Sequence, residues 1–151
     1  MPSTKRKSKF VIYVIDPDLQ AASNLMKLFE RTGFETIGYS SAEEFLAAEQ
    51  DPARFGCIVS EMKLPGADGM ELLAELRNRN SWLPLIILTD NPDVRLAVTA
   101  LHHKVSDYLV KPVVERELIK SIREAMRGAI SSRVSAAKNS HRITRRAEPP
   151  V

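Results

Sequence analysis

Between residues 10 and 127, short apolar runs alternate with amphipathic stretches of about ten to fifteen residues. The runs cover residues 10–15, 34–39 (the weakest), 55–60, 83–89 and 106–110. Three of them are almost continuously apolar and rich in Val and Ile, as strands covered on both faces should be. Helical spacing fills the gaps. Leu19, Ala22, Leu25, Met26 and Phe29 recur on one stripe, and Gly33 stands where a helix stop belongs. Ser41 followed by Glu44 predicts a capping box ahead of a short helix carrying Phe45 and Leu46. Leu72, Leu73 and Leu76 mark a third helix, and Val94, Ala97, Val98 and Leu101 a fourth. A fifth carries Leu118, Ile119, Ile122 and Met126, with Glu115 and Glu117 at its start and Arg127 at its end, matching the helix dipole. Five strand–helix units in strict alternation predict an α/β domain with a doubly wound parallel sheet.

Charge divides the chain into three parts. The total is 22 Lys and Arg against 19 Asp and Glu, a formal net charge of +3. Residues 1–9 hold four bases and no acid, and residues 128–151 hold five bases against Glu148 alone. Residues 10–127 therefore carry 13 bases against 18 acids, an acidic domain between basic tails. The C-terminal tail, polar and ending in Pro-Pro-Val, has the composition of a disordered segment. Sequence-specific nucleic-acid binding is not the expectation, because the tails lack interleaved aromatics and a folded reader. The single cysteine, Cys57, excludes an internal disulfide and a cysteine-based zinc cluster, and fits a reducing cytoplasm. No apolar run is long enough to span a membrane. The run at 10–15 is also too short for a signal peptide, and Asp16-Pro17-Asp18 closes it without a cleavage site.

In open parallel sheets the working crevice lies outside the carboxyl ends of the strands. Those ends bring together Asp16, Asp18, Glu61 and Asp90, the hydroxyl of Thr89 and the amine of Lys111. Carboxylates beside a lysine are what a hard divalent cation and a phosphoryl group require. Spacing alone leaves a second reading open, in which such acids simply cap the helices that follow. Elsewhere the readings are plainer. His102-His103-Lys104 reads as a solvated turn, Cys57 as a small core residue, and Trp82 as a cover over the core edge.

Four motifs in combination resemble the receiver domain of two-component response regulators, across residues 10–127. They are VIDPD after the first strand, EMKLPGADG after the third, LTDNPD after the fourth and DYLVKP at the fifth. The stretch Asp93–Val98 is similar to receivers attached to helix-turn-helix regulators. The resemblance implies a flavodoxin-like (βα)5 sheet of order 2-1-3-4-5, and an aspartate that takes a phosphoryl group from a histidine kinase with magnesium. Carried over residue by residue, Asp16 matches the first acid of an acidic pair, and Pro17 stands where the second should be. Asp18 falls one residue late. Glu61 occupies the phosphoacceptor position, Lys63 would offer a carbonyl to the metal, and Thr89 would follow the phosphoryl group. Asp90 replaces a very small residue, Tyr108 matches the switch aromatic, and Lys111 precedes Pro112 across a bond that would be cis.

These departures set the expected chemistry. Magnesium tolerates misplaced ligands poorly, so Asp16, Glu61 and Lys63 are expected to bind it weakly or not at all, and no cofactor is expected. Glu61 would pair with Lys111 and accept a hydrogen bond from Thr89, with Tyr108 turned inward. Such a pair either imitates a phosphorylated aspartate in part or merely neutralises a retired pocket. The expected function is a stand-alone, non-enzymatic, atypical receiver acting as a phosphorylation-independent interaction module. Its partner would be a histidine kinase, an output regulator, another receiver or a second copy, bound through helix four, strand five and helix five. The alternatives are a working phosphoacceptor despite the substitutions, and a nucleic-acid-associated protein that binds through its basic tails.

Overall fold

The computed structural model describes residues 10–48, 55–81 and 83–128. The basic segments 1–9 and 129–151 and the side chain of Trp82 lie outside the described residues. The elements run β1 (Phe10–Ile15), α1 (Leu19–Arg31), β2 (Glu35–Tyr39), α2 (Ala42–Ala48), β3 (Phe55–Glu61), α3 (Gly69–Asn78), β4 (Leu85–Thr89), α4 (Val94–His102) and β5 (Asp107–Val110). A fifth helix, α5, covers 115–128. The strands form one parallel sheet in the order β2-β1-β3-β4-β5, the flavodoxin-like arrangement the resemblance implied.

The two-residue period of a strand divides the core between the faces of the sheet. Val11, Tyr13 and Ile15 of β1 pack with Ile58, Leu85 and Ile87 against Phe45 of α2, Leu72, Leu73 and Leu76 of α3 and Ala100 of α4. Phe10, Ile12 and Val14 face the other way, with Cys57, Val59, Ile86 and Leu88, against α1 and α5. Every residue of β1 and β4 is buried, which is why those runs lack polar alternation. Cys57 is fully buried, and burial pushes its thiol far above the ordinary range. At Gly56 a Cβ would lie 2.6 Å from the Val11 carbonyl oxygen and 2.8 Å from the Tyr13 ring, so close strand approach fixes that glycine.

Caps account for most helix boundaries. Asp18 caps α1 through the N–H groups of Gln20 and Ala21, and Gly33, at φ 98°, supplies the left-handed stop after it. Ser41 accepts from the Glu44 N–H, but Glu44 reaches back to the N–H and hydroxyl of Ser40 instead of to Ser41. A complete capping box stands at α3, where Asp68 and Glu71 exchange hydrogen bonds. The fourth helix is packed differently from the others. Its apolar stripe does not face the core: Val94, Val98 and Leu101 are exposed, and Ala100 is its one fully buried residue. No described helix is long and apolar enough to cross a membrane.

Candidate functional site

Strand register builds the site. Ile15 lies opposite Ser60, so the residues just beyond, Asp16 and Glu61, emerge side by side. Glu61 lies opposite Leu88, and Thr89 opposite Val110, which brings Asp90 and Lys111 to the same edge. The Lys111 N–H donates to the Thr89 carbonyl at 2.7 Å, and the Lys111–Pro112 bond is cis. Asp16, Glu61, Asp90, Lys111 and Pro112 all line one cavity of about 530 Å³, bounded on its far side by α1.

Glu61 and Lys111 are joined in a direct ion pair, with the glutamate side chain 13% and the lysine side chain 34% exposed. Burial raises the Glu61 carboxyl above its ordinary value, and the Lys111 hydrogen bond only partly opposes this. Burial would lower Lys111, but Glu61, with Asp16 and Asp90, outweighs it and holds the ammonium charged to higher pH. Asp16 is only 5% exposed. Its Oδ1 accepts from the Asp18 N–H at 2.9 Å, and burial again raises the carboxyl.

Other expected participants are placed differently. The Thr89 hydroxyl does not reach Glu61. It accepts from the Asn91 N–H at 3.1 Å and donates to the Asn91 carbonyl, closing a local turn in which the hydroxyl is already used. Asp18 spends its carboxylate on the α1 cap, and Pro17 is exposed at the rim. Tyr108 does turn inward. It packs on the core cluster of the α2–α4 face, and its hydroxyl is buried with no hydrogen-bond partner among the described residues.

Glu43 was absent from the sequence reading. Its carboxylate accepts from the Ala67 N–H at 2.9 Å and pins the β3–α3 loop that carries Lys63. A Cβ on Gly66, at φ 74°, would lie 2.7 Å from the Glu43 oxygen. The only trace in the sequence is the glycine in that loop; the contact spans 24 residues and has no periodic signal.

The donor set can be tested against a resident magnesium ion. Magnesium asks for near-octahedral oxygen at about 2.0–2.1 Å. Pro17 supplies no carboxylate, Asp18 is committed to its cap, and Glu61 holds Lys111. No group of three acidic, His or Cys side chains suited to a metal ion exists among the described residues. The residues present do not fit the ion.

Comparison with known proteins then places the chain. The model of the response regulator receiver domain family matches residues 12–123. The chain is 38% identical over 118 residues to the transcriptional regulatory protein FixJ of Bradyrhizobium diazoefficiens, covering 78% of this chain and 57% of that protein. Nodulation protein W of the same organism is 29% identical over 119 residues, covering 79% and 52%. Among solved structures, full-length FixJ from B. japonicum superposes with a TM-score of 0.74 at 36% identity, over 84% of this chain and 62% of that one. A receiver domain protein from Clostridium thermocellum gives 0.70 at 28% identity, over 78% and 94%. The chain thus spans little more than half the length of the curated relatives it matches first.

Proposed function

The chain belongs to the response regulator receiver domain family, and we propose that it serves two-component signalling as an interaction module that does not depend on phosphorylation. The observation that carries this reading is the Glu61–Lys111 ion pair beside Pro17. A working receiver needs an aspartate and a second acid at these two positions. A glutamate moves the acceptor oxygen by about 1.5 Å, and a misplacement of 1 Å costs on the order of 10²-fold in rate. Asp90 adds negative charge at the same edge, against an approaching phosphodonor. The standing pair gives the pocket one fixed electrostatic state where a phosphorylated receiver would have two.

Binding falls to the other surface. Val94, Val98 and Leu101 of α4, Val110 at the end of β5 and Val114 before α5 are all exposed, with Val94 at 79% and Leu101 at 67%. A protein partner in the relay, whether kinase, output regulator or second receiver, would cover this apolar flank. The buried single cysteine suits a cytoplasmic setting.

The test is intact mass after incubation with acetyl phosphate and magnesium, beside a Pro17→Asp, Glu61→Asp double variant. The unaltered chain is expected to keep its mass, while the double variant gains one phosphoryl group, about 80 Da. A phosphoryl group on the unaltered chain would overturn the reading and make Glu61 or a neighbouring acid a working acceptor.

A further inference from the structure

We propose that the outward line of α5 binds the phosphate backbone of duplex DNA without regard to base sequence. This goes beyond the signalling role and uses neither the Glu61–Lys111 pocket nor the α4 flank.

Residue spacing builds this surface. Leu118, Ile122 and Ala125 of α5 are buried against the sheet. Arg116, Lys120, Arg123 and Arg127, at steps of four, three and four, fall on the opposite line, and all four are exposed. At about 1.5 Å per residue the line is about 16 Å long. Acids are kept off it. Glu117 and Glu124 share the flank of Ser121, whose hydroxyl donates to Asp107 of β5. Glu115 pairs with Arg31 of α1. None of the four cations is in an ion pair among the described residues.

Charge and context point to a polyanion. Arg116 with Lys120, and Arg123 with Arg127, are like charges one turn apart, an arrangement that destabilises an isolated helix. Residues 10–127 carry 18 acids against 13 bases, so the line stands out from an acidic domain instead of sampling a general basicity. The chain then runs on from α5 into residues 128–151, with five bases against one acid. Arg123 is also held in place, its guanidinium 5.5 Å from the centre of the Phe34 ring. Duplex DNA carries one negative charge per about 1.7 Å of axis, so a line of this length faces about ten phosphates, and each one neutralised releases condensed counterions. An anionic membrane would call for an apolar face to insert, but that face of α5 is spent on the core. A protein interface would call for apolar or aromatic anchors, and the line has none.

Fluorescence anisotropy of the full chain with a labelled mixed-sequence duplex of about 24 base pairs, at about 50 to 200 mM NaCl, tests this. Binding is expected with a Kd on the order of 10⁻⁴–10⁻⁶ M at physiological salt, and the same for a second sequence. Arg116→Gln, Lys120→Gln, Arg123→Gln and Arg127→Gln together should flatten the plot of log Kd against log salt by about three to four, with the tails left intact. Arg116→Lys, Arg123→Lys and Arg127→Lys together keep the charge and should keep the slope, which a packing role for these side chains would not predict. Melting temperature reports that each variant is folded. A slope that survives the Gln variant overturns the proposal and assigns the DNA binding to the basic tails. So does the absence of duplex binding, or capture by vesicles of phosphatidylserine and phosphatidylcholine alone. Each of these outcomes leaves the proposed function standing, which only phosphoryl uptake by the unaltered chain would remove.

Discussion

The strand-end pocket and the outer face of α4 make opposite use of their residues. In the pocket, charged and polar groups are drawn out of water and given fixed partners: Glu61 with Lys111, Asp16 with the Asp18 N–H, Thr89 with Asn91. On α4, apolar side chains are left in water. The helix is anchored by Ala100, by Val105 just beyond it, and by Arg77 of α3, which donates to the carbonyls of His103 and Lys104. By contrast α1, with the same kind of stripe, buries Ala22, Leu28 and Phe29. Desolvated charge is expensive and persists only when paired, whereas exposed apolar area is favourable to cover. On the proposed reading, the pocket is therefore the half of the molecule that resists change, and the α4 flank the half that offers binding.

The sharpest way to break this contrast is Lys111→Ala. It leaves Glu61 largely buried without its cation and is expected to cost about 1–3 kcal/mol near neutral pH, less than a fully buried pair because Lys111 is partly exposed. The pH dependence has a definite sign. Burial raises Glu61 in the folded state, so the folded protein holds a proton that the unfolded chain has released. Its contribution to stability is full below the ordinary carboxylate range and is lost as pH rises through the raised value. Removing Lys111 raises that value further, so the deficit should nearly vanish by about pH 4 and open toward pH 7. Urea unfolding across pH checks this; a deficit independent of pH would show that packing, not charge, was lost.

Tyr108→Phe tests the boundary between the two regions. The Tyr108 hydroxyl is buried without a partner, so deleting it should stabilise the domain by about 1 kcal/mol. Equilibrium denaturation that shows a loss instead would mean the hydroxyl has a bonded state of its own. The smallest effect belongs to Val98→Lys, at 47% exposure on α4. It should change stability by no more than about 0.5 kcal/mol. A large drop in melting temperature would place this residue in the core and remove the contrast.

Much of the fold was legible in the chain. Strands covered on both faces read as nearly continuous apolar runs, so 10–15, 55–60 and 83–89 stood out, and Gly33 and Asp18 act in a single local turn each. The Lys111 pairing with Glu61 was also legible, because parallel register brings strand ends to one edge whatever the loops do. Thr89 was misjudged because its partner is chosen by a two-residue turn whose geometry no spacing reports. Glu43 was missed because its loop contact is made only once α2 and the β3–α3 loop are docked.

The sequence by itself determined which residues share a face and which strands need cover on both sides. Periodicity and residue type are properties of the local chain. Only the tertiary structure decided that the α4 stripe points to water, and that the Tyr108 hydroxyl is sealed without a partner. A hydrophobic stripe says that a face can be buried. Whether it is buried depends on how much sheet remains once the neighbouring helices have packed.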